Sequence, residues 1–217
     1  MQNKTTIFDL EYDGEYLYVF ADKFNIYVFY LDRTEGRLYL IQTDKLFNIE
    51  NIDEIETPHH EFKDYKKIKF IKPFNKDGIN IYNGICLFGG SSAKKFTVED
   101  FVLRFTEEVE YVERPLPFNN LKTIGNWDIN SYSNNNGLLF VVGYDKEHED
   151  YFFATIDEEK DRIVKLYGIY SEVGDIIPLS IHHDKFERRV YIVGRFDVID
   201  EKGKVIGVQP YFECFFV

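Results

Sequence analysis

The stretch RVYIVGRFD, Arg189–Asp197, is an apolar run that stops at a glycine, and three other stretches share its pattern. Four large apolar residues precede a glycine or an alanine in Leu17–Ala21, Ile85–Gly89, Leu139–Gly143 and Val190–Gly194. A small residue inside a strand is typical of a place where another backbone approaches closely. We therefore predict that the small residues ending these four runs occupy equivalent places in four repeated sheets.

Other strand-like runs accompany each of these stretches. A second run follows each one, at Asn25–Asp32, Asp100–Thr106, Asp150–Asp157 and Pro210–Val217. A third run follows in the first three copies, and a weaker run precedes every copy. Short polar turns separate the runs, as in antiparallel hairpins. The predicted unit is a four-stranded antiparallel meander of about 50 residues, which is the size of one β-propeller blade.

The spacing of the small residues predicts a single domain over residues 1–217. They are 68, 54 and 51 residues apart, and we attribute the longer first interval to an inserted loop at about 46–65. The predicted fold is all-β, a four-bladed β-propeller, and a β-sandwich or barrel built from similar hairpins is the alternative. The C-terminal strand is too apolar for an open edge, so either residues near Thr5–Leu10 or a second copy of the chain should cover it.

Some of these runs also resemble a known family. The stretch IYNGICLFGGSS, residues 81–92, resembles the second strand of a kelch-type blade, in which an apolar run ends in Gly-Gly. The stretches RVYIVGRFD and LLFVVGYD resemble the same element with one glycine. Four such blades would give a geometry similar to that of hemopexin-like domains. The resemblance implies a propeller, and it implies no particular activity because propellers host both binding and catalysis.

Composition and charge narrow the range of partners. The formal net charge of −12 repels phosphate backbones and anionic membranes, so we expect neither nucleic acid nor membrane as a partner. Neither a signal peptide nor a membrane-spanning apolar run is visible, which predicts a cytoplasmic protein. The cysteines, Cys86 and Cys214, lie in apolar runs, as buried free thiols do. The 16 tyrosines and 21 phenylalanines exceed what a small core can bury, so some should contact a partner.

No sequence motif predicts a reaction. The phosphate loop GxxxxGK[ST], the nucleophile elbow GxSxG and the patterns GxGxxG, CxxC and HExxH are all missing. We therefore name no catalytic residue, no metal and no cofactor. The predicted function is a non-catalytic binding or scaffold module, with another protein as its partner and a monomer or homodimer as its state. The alternative is a metal-assisted hydrolase with its site on one rim of the propeller.

Two small clusters are the best candidates for a binding site. His182, His183 and Asp184 lie at the turn before the fourth apolar run, where a propeller exposes its rim. Asp184 and His183 could pair, which would shift the pKa of His183 across the physiological range. Trp127 and Asp128 form the second cluster, since tryptophan is enriched at binding hot spots.

Overall fold

The fold consists of four antiparallel sheets. A computed structural model of the chain describes residues 13–58, 67–76, 79–89, 92–110, 121–124, 126–169, 171 and 174–217. Apart from a short 3₁₀ turn at Lys122–Ile124, the regular structure of these residues is β-strand. The sheets are arranged in a ring as the blades of a four-bladed propeller, which confirms the predicted fold class.

Each blade is a meander whose strands pair in chain order. Blade 1 contains β1 (Gly14–Ala21), β2 (Asn25–Asp32), β3 (Arg37–Asp44) and β4 (Ile49–Ile55). Blade 2 contains β5 (Lys67–Lys76), β6 (Ile79–Gly89), β7 (Ser92–Glu99) and β8 (Val102–Glu110). Blade 3 contains β9 (Trp127–Asn135), β10 (Leu138–Asp145), β11 (Asp150–Asp157) and β12 (Arg162–Ile169). Blade 4 contains, in the described part of the chain, β13 (Gly174–Asp184), β14 (Arg189–Ile199) and β15 (Val205–Phe216).

The first strand of each blade is the inner strand of the ring, and serine side chains join neighbouring inner strands. Ser131 Oγ of β9 accepts a hydrogen bond from the backbone N–H of Ile181 on β13, at 3.2 Å. Ser180 Oγ of β13 accepts one from the N–H of Val19 on β1, at 3.3 Å. Because a buried N–H without a partner is costly, these serines satisfy donors that face no strand of their own blade.

The two faces of a blade pack against two different neighbouring blades, as blade 1 shows. In blade 1, one face packs against blade 4 in a cluster that joins Val19 and Val28 to Tyr191 and Phe212. The opposite face packs against blade 2 in a second cluster. A third cluster joins blades 3 and 4. This arrangement explains why strands such as β2, β10 and β14 are apolar over most of their length, as is expected of strands with two buried faces.

The middle of the ring is filled by apolar side chains from three blades. Leu17 of β1, Phe70 of β5 and Leu179 of β13 belong to one packed cluster. Leu17 and Leu179 lie at register shifts, where the inner strand has one extra residue. Such a bulge turns a side chain away from the regular alternation. The bulges therefore direct these leucines into the centre of the propeller.

The equivalent places in the four blades differ in part from the predicted ones. The sixth residue of the second strand faces the inner strand in every blade, and these residues are Tyr30, Gly84, Gly143 and Gly194. Gly143 and Gly194 were assigned correctly, but the assignments of Ala21 and Gly89 are wrong. Ala21 ends the inner strand β1, and Gly89 ends β6, five residues beyond Gly84. The inner strand of blade 1 has the apolar pattern expected of a second strand, because it too is buried on both faces.

The corrected places also account for the spacing of the blades. From Tyr30 to Gly84, Gly143 and Gly194 the successive intervals are 54, 59 and 51 residues. The chain from 46 to 65, predicted as an inserted loop, contains β4, the outer strand of blade 1. Residues 59–66 lie outside the described part of the chain. β4 was missed because its sequence, IENIDEI, is mostly polar and exposed, as an outer strand can be.

The apolar C-terminal strand is explained by its two faces. Phe212 and Cys214 of β15 pack toward blade 1, whereas Tyr211 and Phe215 pack toward blade 3. The predicted cover by Thr5–Leu10 falls outside the described residues, and the homodimer stays a prediction. Cys86 and Cys214 are free and buried, as predicted. Within the described ranges, no helix is long and apolar enough to cross a bilayer.

Candidate functional site

Three turns with nearly the same sequence lie at one end of the ring. They read Asp-Lys-Phe at residues 22–24, Asp-Lys-Leu-Phe at 44–47 and Asp-Lys-Phe at 184–186. The first joins β1 to β2, the second joins β3 to β4 and the third joins β13 to β14. In an antiparallel meander, the connections after the first and third strands lie at the same end. We call the residues 22–24, 44–48 and 184–189 together the Asp-Lys rim.

Each aspartate of the rim fixes the backbone of its own turn. Asp22 Oδ1 accepts hydrogen bonds from the N–H groups of Phe24 and Asn25, both at 2.8 Å. Asp184 Oδ1 accepts one from the N–H of Phe186 at 2.9 Å. Asp44 Oδ1 accepts one from the N–H of Leu46 at 2.8 Å. These are Asx turns, in which the side chain replaces a backbone acceptor.

The Asx turns present one apolar side chain each to solvent. Phe24 is 69% exposed, Leu46 is 71% exposed and Phe186 is 52% exposed. Single exposed apolar residues are common, but here three of them lie on turns that hydrogen bonds connect. The rim therefore offers an apolar surface on a fixed backbone.

Lys45 ties the three turns into one unit. Its Nζ donates to Asp184 Oδ2 at 2.5 Å and to the backbone oxygen of Asp22 at 2.6 Å. The backbone oxygen of Lys45 accepts a hydrogen bond from Arg189 at 2.8 Å. The Lys45 side chain is 13% exposed and that of Asp184 is fully buried. Blades 1 and 4 are thus joined at this end of the ring by a buried, charge-assisted contact.

The environment of Asp184 keeps its carboxylate ionised. Burial opposes the charge, but hydrogen bonds from Lys45 and from the N–H of Phe186 outweigh burial, and the pKa of Asp184 lies below its ordinary value. Tyr191 also donates to Asp184 Oδ2 at 3.3 Å. The carboxylate is therefore fully used inside the protein, and little of it remains for an external ligand.

The outer side of the rim is basic as well as apolar. Lys23 lies over the ring of Phe24 and Lys185 lies over the ring of Phe186, each with Nζ at 5.2 Å from the ring centre. Arg188 is exposed on the same turn as Phe186. The rim aspartates accept hydrogen bonds within their own turns, so the side chains presented outward are cations and apolar groups, together with one exposed carboxylate, Glu187. This differs from the chain as a whole, whose net charge is −12.

The predicted histidines, His182 and His183, lie in β13 beside this rim, and both rings pack against aromatic side chains. His182 meets the edge of the Phe20 ring with centroids 5.2 Å apart, and His183 stacks on Phe140 at 4.5 Å. Burial lowers the pKa of both, that of His182 to about 4. His183 Nδ1 is buried without a hydrogen-bond partner, and the nearby Asp184 charge only partly offsets the effect of burial on the pKa of His183. Asp184 itself belongs to the rim as its structural centre.

The lowered pKa of His182 should make the free energy of unfolding depend on pH in the acid range. The unfolded chain takes up a proton near pH 6.5, whereas folded His182 resists protonation until about pH 4, so its contribution to stability is lost as the pH falls between these values. When the pH is lowered from 7 to 4.5, the wild type loses free energy of unfolding. We expect this loss to be about 1–2 kcal/mol smaller in His182→Gln. Urea unfolding at both pH values measures this difference.

His148→Gln is the matched control for that experiment. His148 is exposed, and the hydrogen bond that its Nδ1 donates to the Asp145 carboxylate raises its pKa, so its stabilising contribution is present below its ordinary pKa and is lost as the pH rises. Replacing His148 should therefore increase the acid loss of stability. If the wild type and His182→Gln lose equal free energy of unfolding on acidification, the pKa of His182 is not lowered in the folded protein.

The second predicted cluster lies at the opposite end of the ring. Trp127 begins β9, while the Asp-Lys rim follows the ends of the inner strands, which run in the same direction. Trp127 packs on Phe152 with centroids 4.2 Å apart. Asp128 forms an exposed ion pair with Lys146 at 2.8 Å. The structure therefore does not bring Trp127 and Asp128 together with His182, His183 and Asp184.

Among the described residues, no group of three or more His, Cys, Asp or Glu side chains is arranged to hold a metal ion. No family model matches the sequence, and no curated protein matches it.

The chain is weakly similar to solved structures of two kinds of protein. An exo-β-1,3-galactanase from Phanerochaete chrysosporium with β-1,3-galactotriose is 8% identical with a TM-score of 0.35, and the match covers 91% of this chain and 49% of that one. The same enzyme with galactose gives the same identity and TM-score. The endosialidase of phage phi92 is 11% identical with a TM-score of 0.29, covering 92% and 35%. This chain spans about half the length of the galactanase chain and about a third of the endosialidase chain.

Proposed function

We propose that this propeller is a protein-binding module and that the Asp-Lys rim is its docking surface. The observation that carries the proposal is the set of three exposed apolar side chains, Phe24, Leu46 and Phe186, held on turns that are hydrogen-bonded to one another. Exposed apolar groups that cluster on one surface are typical of interaction sites.

The rigidity of the rim favours binding energetically. Association is weakened when loops and side chains must be ordered at the interface. Here the Asx hydrogen bonds and Lys45 already order the three turns before a partner arrives. Large apolar and aromatic side chains on an ordered backbone are the usual centres of binding energy in interfaces.

A triple substitution tests the proposal. In the rim variant, Phe24→Ser, Leu46→Ser and Phe186→Ser remove the exposed apolar groups while the Asx aspartates and Lys45 stay in place. In the control variant, Ile199→Ser, Val205→Ser and Ile206→Ser remove exposed apolar groups from the hairpin at the opposite end of blade 4. All six side chains are at least 37% exposed, so both variants should fold.

The readout is differential capture followed by a measured affinity. Immobilised wild type and control variant should retain the same protein from an extract of the producing cells, and the rim variant should lose it. With that protein purified, calorimetry should show an affinity loss of at least about 30-fold for the rim variant, corresponding to about 2 kcal/mol. Capture by the wild type that does not differ from capture by the rim variant contradicts the proposal.

A further inference from the structure

We infer that the partner presents to the Asp-Lys rim an acidic peptide segment that carries apolar side chains, and this inference rests on the proposed function. The apolar side chains of the segment would contact Phe24, Leu46 and Phe186. Its carboxylates would face the cations that flank these residues. The juxtaposition of exposed rings and exposed cations on hydrogen-bonded turns carries the inference.

The charge of the rim selects an acidic segment. Lys23, Lys185 and Arg188 are exposed and lie on the two turns that present Phe24 and Phe186. The aspartates of the same turns accept hydrogen bonds from backbone N–H groups and, in the third turn, from Lys45. Complementary potentials attract a partner and exclude partners of the wrong charge. A basic segment would meet uncompensated cations here.

Arg189 connects the rim to the C-terminal end of β15 from below the surface, since its side chain is only 16% exposed. Its guanidinium lies 5.8 Å from the Phe47 ring and 4.9 Å from the Phe216 ring, and Phe216 is mostly exposed. Glu187 lies 3.8 Å from Arg189 and partly offsets its charge. The exposed apolar surface therefore continues from the turns to Phe216 at the end of β15.

The same end of the ring is acidic over blades 2 and 3, and this favours a peptide over a lipid surface. The turn after β11 has the sequence DEEKD at residues 157–161, and Glu159 is exposed there. Asp100, in the turn after β7, is also exposed. A flat anionic membrane would cover these acidic turns together with the rim and would be repelled by them. A peptide segment can lie over blades 1 and 4 alone.

A selection from a random 12-residue peptide library tests this chemistry without a known partner. The library is selected on the immobilised full chain, and binders are compared on four proteins: the wild type, the rim variant, a charge variant and its control. The charge variant carries Lys23→Gln, Lys185→Gln and Arg188→Gln. The control carries Lys146→Gln, Lys202→Gln and Lys204→Gln, which remove the same number of exposed cations from the opposite end of the ring.

The expected binders are enriched in Asp and Glu together with Phe, Leu or Trp. They should lose at least 10-fold in affinity on the charge variant and on the rim variant, and keep their affinity on the control. Binders that need the rim residues but show no acidic enrichment overturn the inference and leave the proposed function standing. Binders indifferent to the rim variant, or no enrichment at all, contradict both.

A vesicle experiment tests the remaining alternative, which is binding of the rim to an anionic lipid surface. Co-sedimentation with vesicles of phosphatidylcholine and phosphatidylserine should leave the wild type in the supernatant. If the wild type sediments with these vesicles and the rim variant does not, the rim recognises an anionic lipid surface, and the peptide inference is overturned.

Discussion

Replacing Lys45 with methionine is expected to lower the free energy of unfolding by about 3–5 kcal/mol, because it leaves a buried carboxylate without its partner. Asp184 is fully buried and Lys45 is its ion-pair partner at 2.5 Å. Methionine keeps the apolar length of the lysine side chain, so packing changes little. Chemical unfolding followed by tyrosine and tryptophan fluorescence measures the difference between the two proteins.

Two further variants separate the charge from other effects. Lys160→Met removes the partner of Asp157 in an exposed pair and should cost less than about 1 kcal/mol. Adding Asp184→Asn to Lys45→Met removes the stranded charge and should recover part of the lost stability. If Lys45→Met costs no more than Lys160→Met, the three turns are not joined by this contact.

The pH dependence of the same effect follows from the pKa of Asp184. Because that pKa is lowered in the folded state, the stabilising contribution is present above the ordinary aspartate value and is lost as the pH falls through the folded value. The stability difference between wild type and Lys45→Met should therefore be full at pH 7 and should shrink below about pH 4. A difference that stays constant to pH 2.5 would argue that packing alone causes it.

Gly143→Ala is expected to cost about 3 kcal/mol, the upper part of the range for overpacking a core, because its new methyl group has no room. A Cβ atom at Gly143 would overlap the backbone oxygen of Asp128 on the neighbouring inner strand. A backbone oxygen cannot rotate aside as a flexible side chain can, so β9 and β10 would have to separate. Gly194→Ala should behave in the same way, since its Cβ would overlap the backbone oxygen of Ile177.

Gly207→Ala is the matched control for these two substitutions. Gly207 also lies in a strand, and no atom would approach its Cβ within 4 Å. Its replacement should change the free energy of unfolding by about 0.5 kcal/mol or less. Equal losses at the three glycines would contradict the equivalence of Gly143 and Gly194 in their blades.

The sequence predicted the fold class but only part of the repeat. Runs of four apolar residues separated by polar turns are sufficient to indicate four meanders, because the second strand of a blade is buried between its neighbours. Because inner strands and second strands are both buried, an apolar run does not reveal which of the two it forms. β1 and β10 have similar apolar patterns, although β1 is an inner strand and β10 is a second strand. Only the pairing register distinguishes them, and the register depends on contacts between distant residues.

The sequence pointed to the turn at Asp184, but it did not reveal the contacts that this turn makes. The turn at Asp184 was chosen for its two histidines, yet these are packing residues. The partner of Asp184 is Lys45, 139 residues earlier in the chain, and no local pattern reveals such a contact. The Asp-Lys rim did leave a signal, namely three turns that begin with Asp-Lys and continue with Phe or Leu. Comparing the turns of the repeats, in addition to the strands, would have found it.

Site-specific photo-crosslinking tests the docking surface most directly. A photoreactive phenylalanine analogue is placed at Phe24, at Phe186 or at the control position Ile206, and each protein is irradiated in an extract of the producing cells. One adduct of the same mass is expected from positions 24 and 186, and none is expected from position 206. An adduct from position 206 alone, or no adduct from the two rim positions, would contradict a docking surface on the Asp-Lys rim.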